Sequence, residues 1–237
     1  MLPFFLECCC QSADDARRAE VSGASRIELC EELAVAGLKP SDENILATLA
    51  AVHIPVNVLV RCRAGNFVYT EEEIDTMVRS IAHIRQLTAA APDGTTRRVN
   101  AVVVGALTVE GSVDKEATRR FIAAAGNLPI TFHRAFDLCY DPVQAYDDIA
   151  LLGIDRILTS GHRPTVAEGC GQLTELVEKS KGTSPCGKPN PVVLVGGGVR
   201  PQNIRVLAVA IGASEYHSSC LEGWDKVSWK GIERVNK

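Results

Sequence analysis

Two carboxylate–thiol pairs at the same spacing, Glu7-Cys8-Cys9 and Glu28-Leu29-Cys30, close the first two apolar runs of this 237-residue chain. Alternate residues of a strand share a face, so each segment points one carboxylate and one thiol the same way. If the two strands are neighbours, Cys9 and Cys30 stand side by side at one end of a sheet. Paired soft thiolates suit a soft, low-coordinate cation, Cu(I) before any harder ion. The competing explanation is packing, since cysteine is among the most buried residue types and most reduced thiols act as small hydrophobes. Cys8 and Cys10 flank Cys9, so a one-residue slip in register would exchange the thiol that faces inward.

The remaining cysteines fall at 62, 139, 170, 186 and 220, making an odd total of nine. They form no C-x-x-C pair of the kind a structural zinc site uses, and they lie in apolar runs rather than in a loop-rich disulfide scaffold. A formal net charge of −4 gives no electrostatic footprint for a polyanion, so no nucleic-acid partner is expected. No apolar run approaches the roughly 18 residues of a membrane span. Met1–Leu6 lacks a basic region and runs directly into Glu7, which is not a secretory signal. The expectation is a cytoplasmic protein.

Short β-branched runs at 4–9, 26–30, 54–61, 99–106, 128–133, 155–159, 191–196 and 213–217 alternate with amphipathic segments. Ser12-Ala13-Asp14-Asp15 starts one helix, and Thr70-Glu71-Glu72-Glu73 makes a capping box for the longest. Pro142 and Pro201 sit where a first helical turn tolerates a missing N–H. Gly23, Gly126, Gly153 and Gly212 follow helical patterns as terminating glycines do. Segments 88–98 and 181–190 read as polar loops. Eight strands with seven clear helices in strict β-then-α order predict a parallel sheet with right-handed crossovers. Closed on itself, that is an α/β fold of the (β/α)8 TIM-barrel type in a single domain spanning 1–237, with outer helices. An open doubly wound sheet is the rival, but it would need edge strands, and these runs are similarly apolar throughout.

Barrels place their chemistry at the C-terminal strand ends. Those positions hold Glu7 and Cys9, Glu28 and Cys30, Arg61, Gly105, His133-Arg134 with Asp137, Thr159-Ser160-Gly161, Gly196-Gly197-Gly198 and His217-Ser218-Ser219. Buried charges need partners, so Glu7 and Glu28 are expected to meet Arg61, His133 or Arg134. Gly196-Gly197-Gly198, before a helix beginning near Arg200, lies where barrels often bind phosphate, with Ser218 and Ser219 as added donors. A tight turn explains the glycines equally well. His53 and His83 fall in helical stretches and read as surface or packing residues.

Taken in order, Leu6-Glu7-Cys8-Cys9, Gly23-Ala24-Ser25-Arg26-Ile27-Glu28-Leu29-Cys30, Gly37-Leu38-Lys39-Pro40-Ser41, Arg61-Cys62-Arg63-Ala64-Gly65-Asn66-Phe67 and Thr131-Phe132-His133-Arg134-Ala135-Phe136-Asp137 resemble the CutC copper homeostasis proteins. Leu158-Thr159-Ser160-Gly161, Gly196-Gly197-Gly198 and His217-Ser218-Ser219 extend the resemblance over nearly the whole chain. It implies a TIM barrel, a homo-oligomer (dimer or tetramer) and Cu(I) held by two cysteines, which map onto Cys9 and Cys30. Cys62, Ala64 and Asn66 depart from the family's Arg-Pro-Arg-Gly-Gly-Asp-Phe pattern, so Cys62 is a candidate third thiol. The tail Leu221–Lys237, with both tryptophans, is shorter than the family's and leaves the final helix in question.

Two functions follow. In the first, Cys9 and Cys30 bind copper in near-linear geometry, with Arg61 or His133 favouring thiolate and Glu7 and Glu28 opposing it. In the second, the mouth is an enzyme site for a small phosphorylated or carboxylated metabolite. Glu7, Glu28, His133 and Asp137 are then the acid–base candidates. Arg61, Arg134, Ser160, Gly196, Gly197, Gly198, His217 and Ser218 are the binding candidates.

Overall fold

In a computed structural model, which describes residues 5–219, eight parallel strands close into a barrel. In chain order they are β1 (Phe5–Cys10), β2 (Arg26–Leu29), β3 (Val56–Leu59), β4 (Ala101–Val104), β5 (Ile130–Phe132), β6 (Arg156–Thr159), β7 (Val192–Gly196) and β8 (Glu215–Ser218). Sequential strands pair, and β8 closes the ring against β1 with Glu7 opposite His217. The barrel rather than the open sheet is what forms, because no run is polar enough on one side to serve as an edge.

The helices α1 (Ala13–Val21), α2 (Asp42–Ala51), α3 (Glu71–Ile84), α4 (Lys115–Ala125), α5 (Pro142–Leu152), α6 (Cys170–Ser180) and α7 (Ile204–Ile211) follow the strands in turn. Their starts are chemically specified. The Ser12 hydroxyl accepts from the Asp15 amide, and Thr70 and Glu73 complete the expected reciprocal cap. Asp141 caps α5 with Pro142 in its first turn. Gly126, Gly153 and Gly212 end helices with φ of 61°, 75° and 70°, a region that favours glycine.

Two expectations are corrected. Segment 88–98 is an antiparallel hairpin, Thr88–Ala90 against Thr96–Arg98, because Pro92-Asp93-Gly94 supplies a turn between two pairable runs. The helix after the triple glycine begins at Ile204 rather than near Arg200. Pro201 lies in the preceding turn, where Asn203 Oδ1 accepts from the Arg200 amide at 2.8 Å. The tail 221–237 lies outside the described residues, as does Cys220.

Strand alternation sorts the core into two shells. Leu6, Cys8, Cys10, Ile27, Leu29, Val58, Val102, Val104 and Phe132 pack outward with the helices. Cys9, Cys30, Leu59 and Val103 form a separate inner cluster. The register question raised by three consecutive cysteines is thereby answered: Cys9 faces the lumen, and Cys8 and Cys10 face the helices. No helix among the described residues is long and apolar enough to cross a membrane. Cys186 sits in the 181–190 loop, exposed, with its thiol pushed down chiefly by a hydrogen bond from Ser184 and then by Lys188.

Candidate functional site

Position 7 on β1 pairs with Arg26 and His217, and position 9 with Glu28, so two polar layers stack inside the barrel. The lower layer is a closed ion network. Glu7 Oε2 accepts from Arg26 Nε and, at 3.1 Å, from Asn57 Nδ2. Arg26 Nη2 reaches Glu215 Oε2 at 2.8 Å, and Arg156 Nε grips the same oxygen at 2.6 Å. Glu7 Oε1 lies 2.8 Å from His217 Nδ1. Burial works against the Glu7 charge, but His217 and Arg26 outweigh it and hold the carboxyl at about 2.

The upper layer opens into a pocket of about 280 Å³ lined by Cys9, Glu28, Cys30, Arg61, His133, Arg134, Gly197, Gly198, His217 and Ser218, among others. Cys9 Sγ and Cys30 Sγ are 3.5 Å apart. The hydrogen bond from Cys30, then burial, then the Glu28 charge push the Cys9 thiol up. Neither Arg61 nor His133, the residues expected to favour its thiolate, is among the groups that shift it most. Glu28 Oε2 is buried without a hydrogen-bond partner. Burial, reinforced by Glu7 and opposed by His217 and Arg26, pushes the Glu28 carboxyl up to about 7. Burial lowers His217 in turn, but Glu28 and Glu7 prevail and raise it above its ordinary value.

The expected partners of the two glutamates are engaged elsewhere. Arg61 donates to the Val35, Gly37 and Gly65 carbonyls at 2.8, 3.1 and 2.8 Å and stacks over Phe67, tying two mouth loops together. Arg134 Nε binds Asp137 at 2.7 Å, and its Nη2 donates to Ser160 Oγ at 2.8 Å. Asp137 also accepts from Thr159 Oγ1 and from the Ser160 and His162 amides, so all its capacity goes into shaping a loop. His133 Nδ1 accepts from the Ala135 amide at 3.2 Å, which places the ring proton on Nε2. That Nε2 is buried and unpartnered. Burial and the nearby Arg61 lower His133 to about 3, so the ring is neutral. Gly105 makes room for it: a Cβ there would stand 2.6 Å from the ring.

Glu7, Asp137, Ser160, Gly196 and Cys62 do not line the pocket, and Glu7 lies inside β1, one layer below the mouth, rather than at the expected strand end. Cys62 packs against the outer core, with its thiol raised by burial and Glu73. Gly197 approaches Ser160 and Arg134 so closely that a Cβ would meet them at 2.9 and 3.2 Å, and its φ is 114°. Sequence reasoning overlooked Arg26, Asn57, Arg156 and Glu215. For two of them the signal was available, since Arg26 and Glu215 stand two residues before Glu28 and His217 and share their inward face.

The family model described as the CutC family matches residues 4–222. A CutC family protein of Klebsiella pneumoniae is 40% identical over 214 residues, 90% of this chain and 79% of that protein. The human copper homeostasis protein cutC homolog is 38% identical over 216 residues, 91% of this chain and 73% of its own. A crystal structure of CutC from Streptococcus agalactiae superposes with a TM-score of 0.78 at 30% identity, covering 92% of this chain and 99% of that one.

Proposed function

The chain belongs to the CutC family, and from that premise we propose that it handles copper by holding one Cu(I) between the thiolates of Cys9 and Cys30. The observation that carries this is the 3.5 Å separation of the two sulfur atoms inside the mouth, in a cluster apart from the structural cysteines. Thiolate is the ligand class that selects Cu(I). Taking the zinc–thiolate bond length of about 2.3 Å as a scale, a linear S–metal–S unit spans about 4.6 Å, so the pair opens by about 1 Å on loading. Both thiols must lose their protons to bind, and a raised Cys9 makes loading a proton-releasing step.

A competition titration against a Cu(I) chelator tests this. Cys9→Ser/Cys30→Ser is expected to weaken binding by more than about 100-fold, the upper end of what disturbing a ligand's support alone costs. Unchanged affinity would sink the reading. The protein is taken to work as a single (β/α)8 domain in a reducing, cytoplasmic setting, where reduced cysteines persist. We assign it a homo-oligomeric state on its exposed Leu138, Tyr140 and Val143; a monomeric mass by light scattering would refute that.

Arg134 favours a second reading, an enzyme acting on a small phosphate or carboxylate. It is held flat over Gly197 by Asp137 and Ser160, at the edge of a pocket that also contains the unpartnered His133 Nε2. Positioned cations and donors are what an anion site needs. A thermal-shift screen with phosphorylated and carboxylated metabolites should then show stabilisation that Arg134→Ala removes. No shift at millimolar concentrations would count against it.

A further inference from the structure

The mouth carries more ligand chemistry than two thiols use. One ligand atom each from Cys9, Glu28 and His217 all lie within 4.8 Å of one another. We propose that these three form a second metal-ligand set, for a borderline divalent ion of the zinc type, and that it shares Cys9 with the Cu(I) pair, so that the two ions exclude each other.

Three observations support the set independently of the copper reading. First, Glu28 Oε2 is a buried carboxylate oxygen with no partner, at a position only 6% exposed. An oxygen in that state costs stability unless something occupies it. Second, His217 Nδ1 is bound to Glu7 Oε1 at 2.8 Å, which leaves Nε2 as the nitrogen for an ion. A carboxylate bonded to the far nitrogen of an imidazole is the arrangement that orients metal-binding histidines and strengthens them as donors. Glu7 is itself fixed by Arg26 and Asn57, so the support extends two residues back from the ligand.

Third, the donor set has the wrong hardness for Cu(I) alone. One thiolate, one imidazole and one carboxylate together suit zinc and similar ions better than a soft monovalent one. Bonds of about 2.0–2.3 Å place tetrahedral ligand atoms roughly 3.3–3.8 Å apart. Side-chain rotations of about an ångström bring this group to that spacing. Three protein ligands leave a fourth position directed at the pocket, the open arrangement in which zinc keeps a water or a substrate atom. Cys30, 3.5 Å from Cys9, is the alternative partner that draws the same sulfur toward Cu(I).

Co2+ serves as the spectroscopic probe, titrated into the 237-residue chain with surface Cys186 replaced by Ser. The expected result is a thiolate-to-cobalt charge-transfer band with tetrahedral d–d absorption, displaced by Zn2+ and by Cu(I). His217→Gln and Glu28→Gln should each weaken Co2+ at least tenfold more than they weaken Cu(I). Cys30→Ser should do the reverse, and Cys9→Ser should lose both. Circular dichroism and thermal melts confirm that each variant is folded, and Glu28→Gln keeps the side-chain shape if His217→Gln does not fold. Absence of the charge-transfer band in the parent, its survival in Glu28→Gln, or simultaneous stoichiometric binding of Co2+ and Cu(I) overturns the proposal. The displacement by Cu(I) rests on the copper reading, whereas the Co2+ titration and the Glu28 and His217 variants do not. If Cu(I) fails to bind while Co2+ behaves as described, only the copper reading falls.

Discussion

The lower layer of the lumen (Glu7, Arg26, Asn57, Arg156 and Glu215) and the mouth layer above it (Cys9, Glu28, Cys30, His133 and His217) share strands β1, β2 and β8, where Glu7 and Cys9, Arg26 and Glu28, and Glu215 and His217 stand two residues apart. Below, every carboxylate meets a guanidinium or an amide. Above, Glu28 Oε2 and His133 Nε2 are buried and unpartnered, and two thiols face one another. Both layers are costly for an apolar barrel to enclose. The lower one is compensated internally, and the upper one is not. Uncompensated polarity at the open end, rather than polarity as such, separates a ligand site from a structural network.

Removing one partner from the lower layer should have the largest effect. Arg26→Met leaves Glu7 and Glu215 with a missing guanidinium, and urea unfolding should show a loss of about 3–5 kcal/mol. A loss below about 1 kcal/mol would mean that the network is not what holds the barrel floor. Glu28→Gln is the counterpart above, and it should cost little at pH 8, because it removes a charge that burial opposes and whose Oε2 has no hydrogen-bond partner.

The pH dependence of stability sharpens the same contrast, because the two glutamates titrate in opposite senses. Glu28 binds its proton more tightly in the folded state, about 7 against the ordinary 4.5. Its contribution is therefore present below 4.5 and lost as pH rises through about 7, at about 1.4 kcal/mol per pH unit. Glu7, lowered to about 2, contributes above 4.5 and loses that contribution as pH falls toward 2. His217, raised above 6.5, also loses its contribution as pH climbs past neutrality. Stability should peak in mildly acid solution, and Glu28→Gln should flatten the slope between about 4.5 and 7. An unchanged slope in Glu28→Gln would assign the decline to other groups.

A smaller effect tests the shape of the mouth. Gly105→Ala drives a methyl into the His133 ring and should cost about 1–3 kcal/mol while distorting the pocket. A wild-type melting temperature with unperturbed His133 NMR signals would show that the ring has room to move. The smallest effect is expected from Cys62→Ser and Cys8→Ala, whose thiols belong to the outer core. Cu(I) affinity should stay within error in both, and a tenfold fall in either would break the division between lumen and outer thiols.

The barrel was legible because each strand is a short β-branched run and each helix carries its own caps, as at Ser12, Thr70 and Asp141. The inward pairs Glu7/Cys9 and Glu28/Cys30 were legible from the two-residue strand period. Their partners were not. Glu7 meets His217 across 210 positions because β8 closes on β1, and no local pattern encodes the register of that closure. Arg61 and Arg134 look like ion-pair partners for Glu7 and Glu28 in sequence, yet backbone carbonyls and Asp137 claim them first. The hairpin at 88–98 was missed although Pro92-Asp93-Gly94 announced it, because polar flanking runs concealed the pairing.

The loop cysteine far from the mouth sets the terms on which any of this can be measured. Cys186 is exposed and its thiol is lowered by Ser184 and Lys188, whereas Cys9 and Cys30 are enclosed and Cys9 is raised. Reaction rate with alkylating reagents follows thiolate fraction and access, so among the described residues the fastest-labelled sulfur is expected to be that of Cys186, which has no part in the barrel. Protection assays that count total thiols would report the wrong residue, and a surface thiolate would scavenge the first equivalents of a soft metal. Removing Cys186 takes the exposed thiol out of that count, so that the slower labelling of the enclosed Cys9 and Cys30 can be followed by mapping the labelled residues.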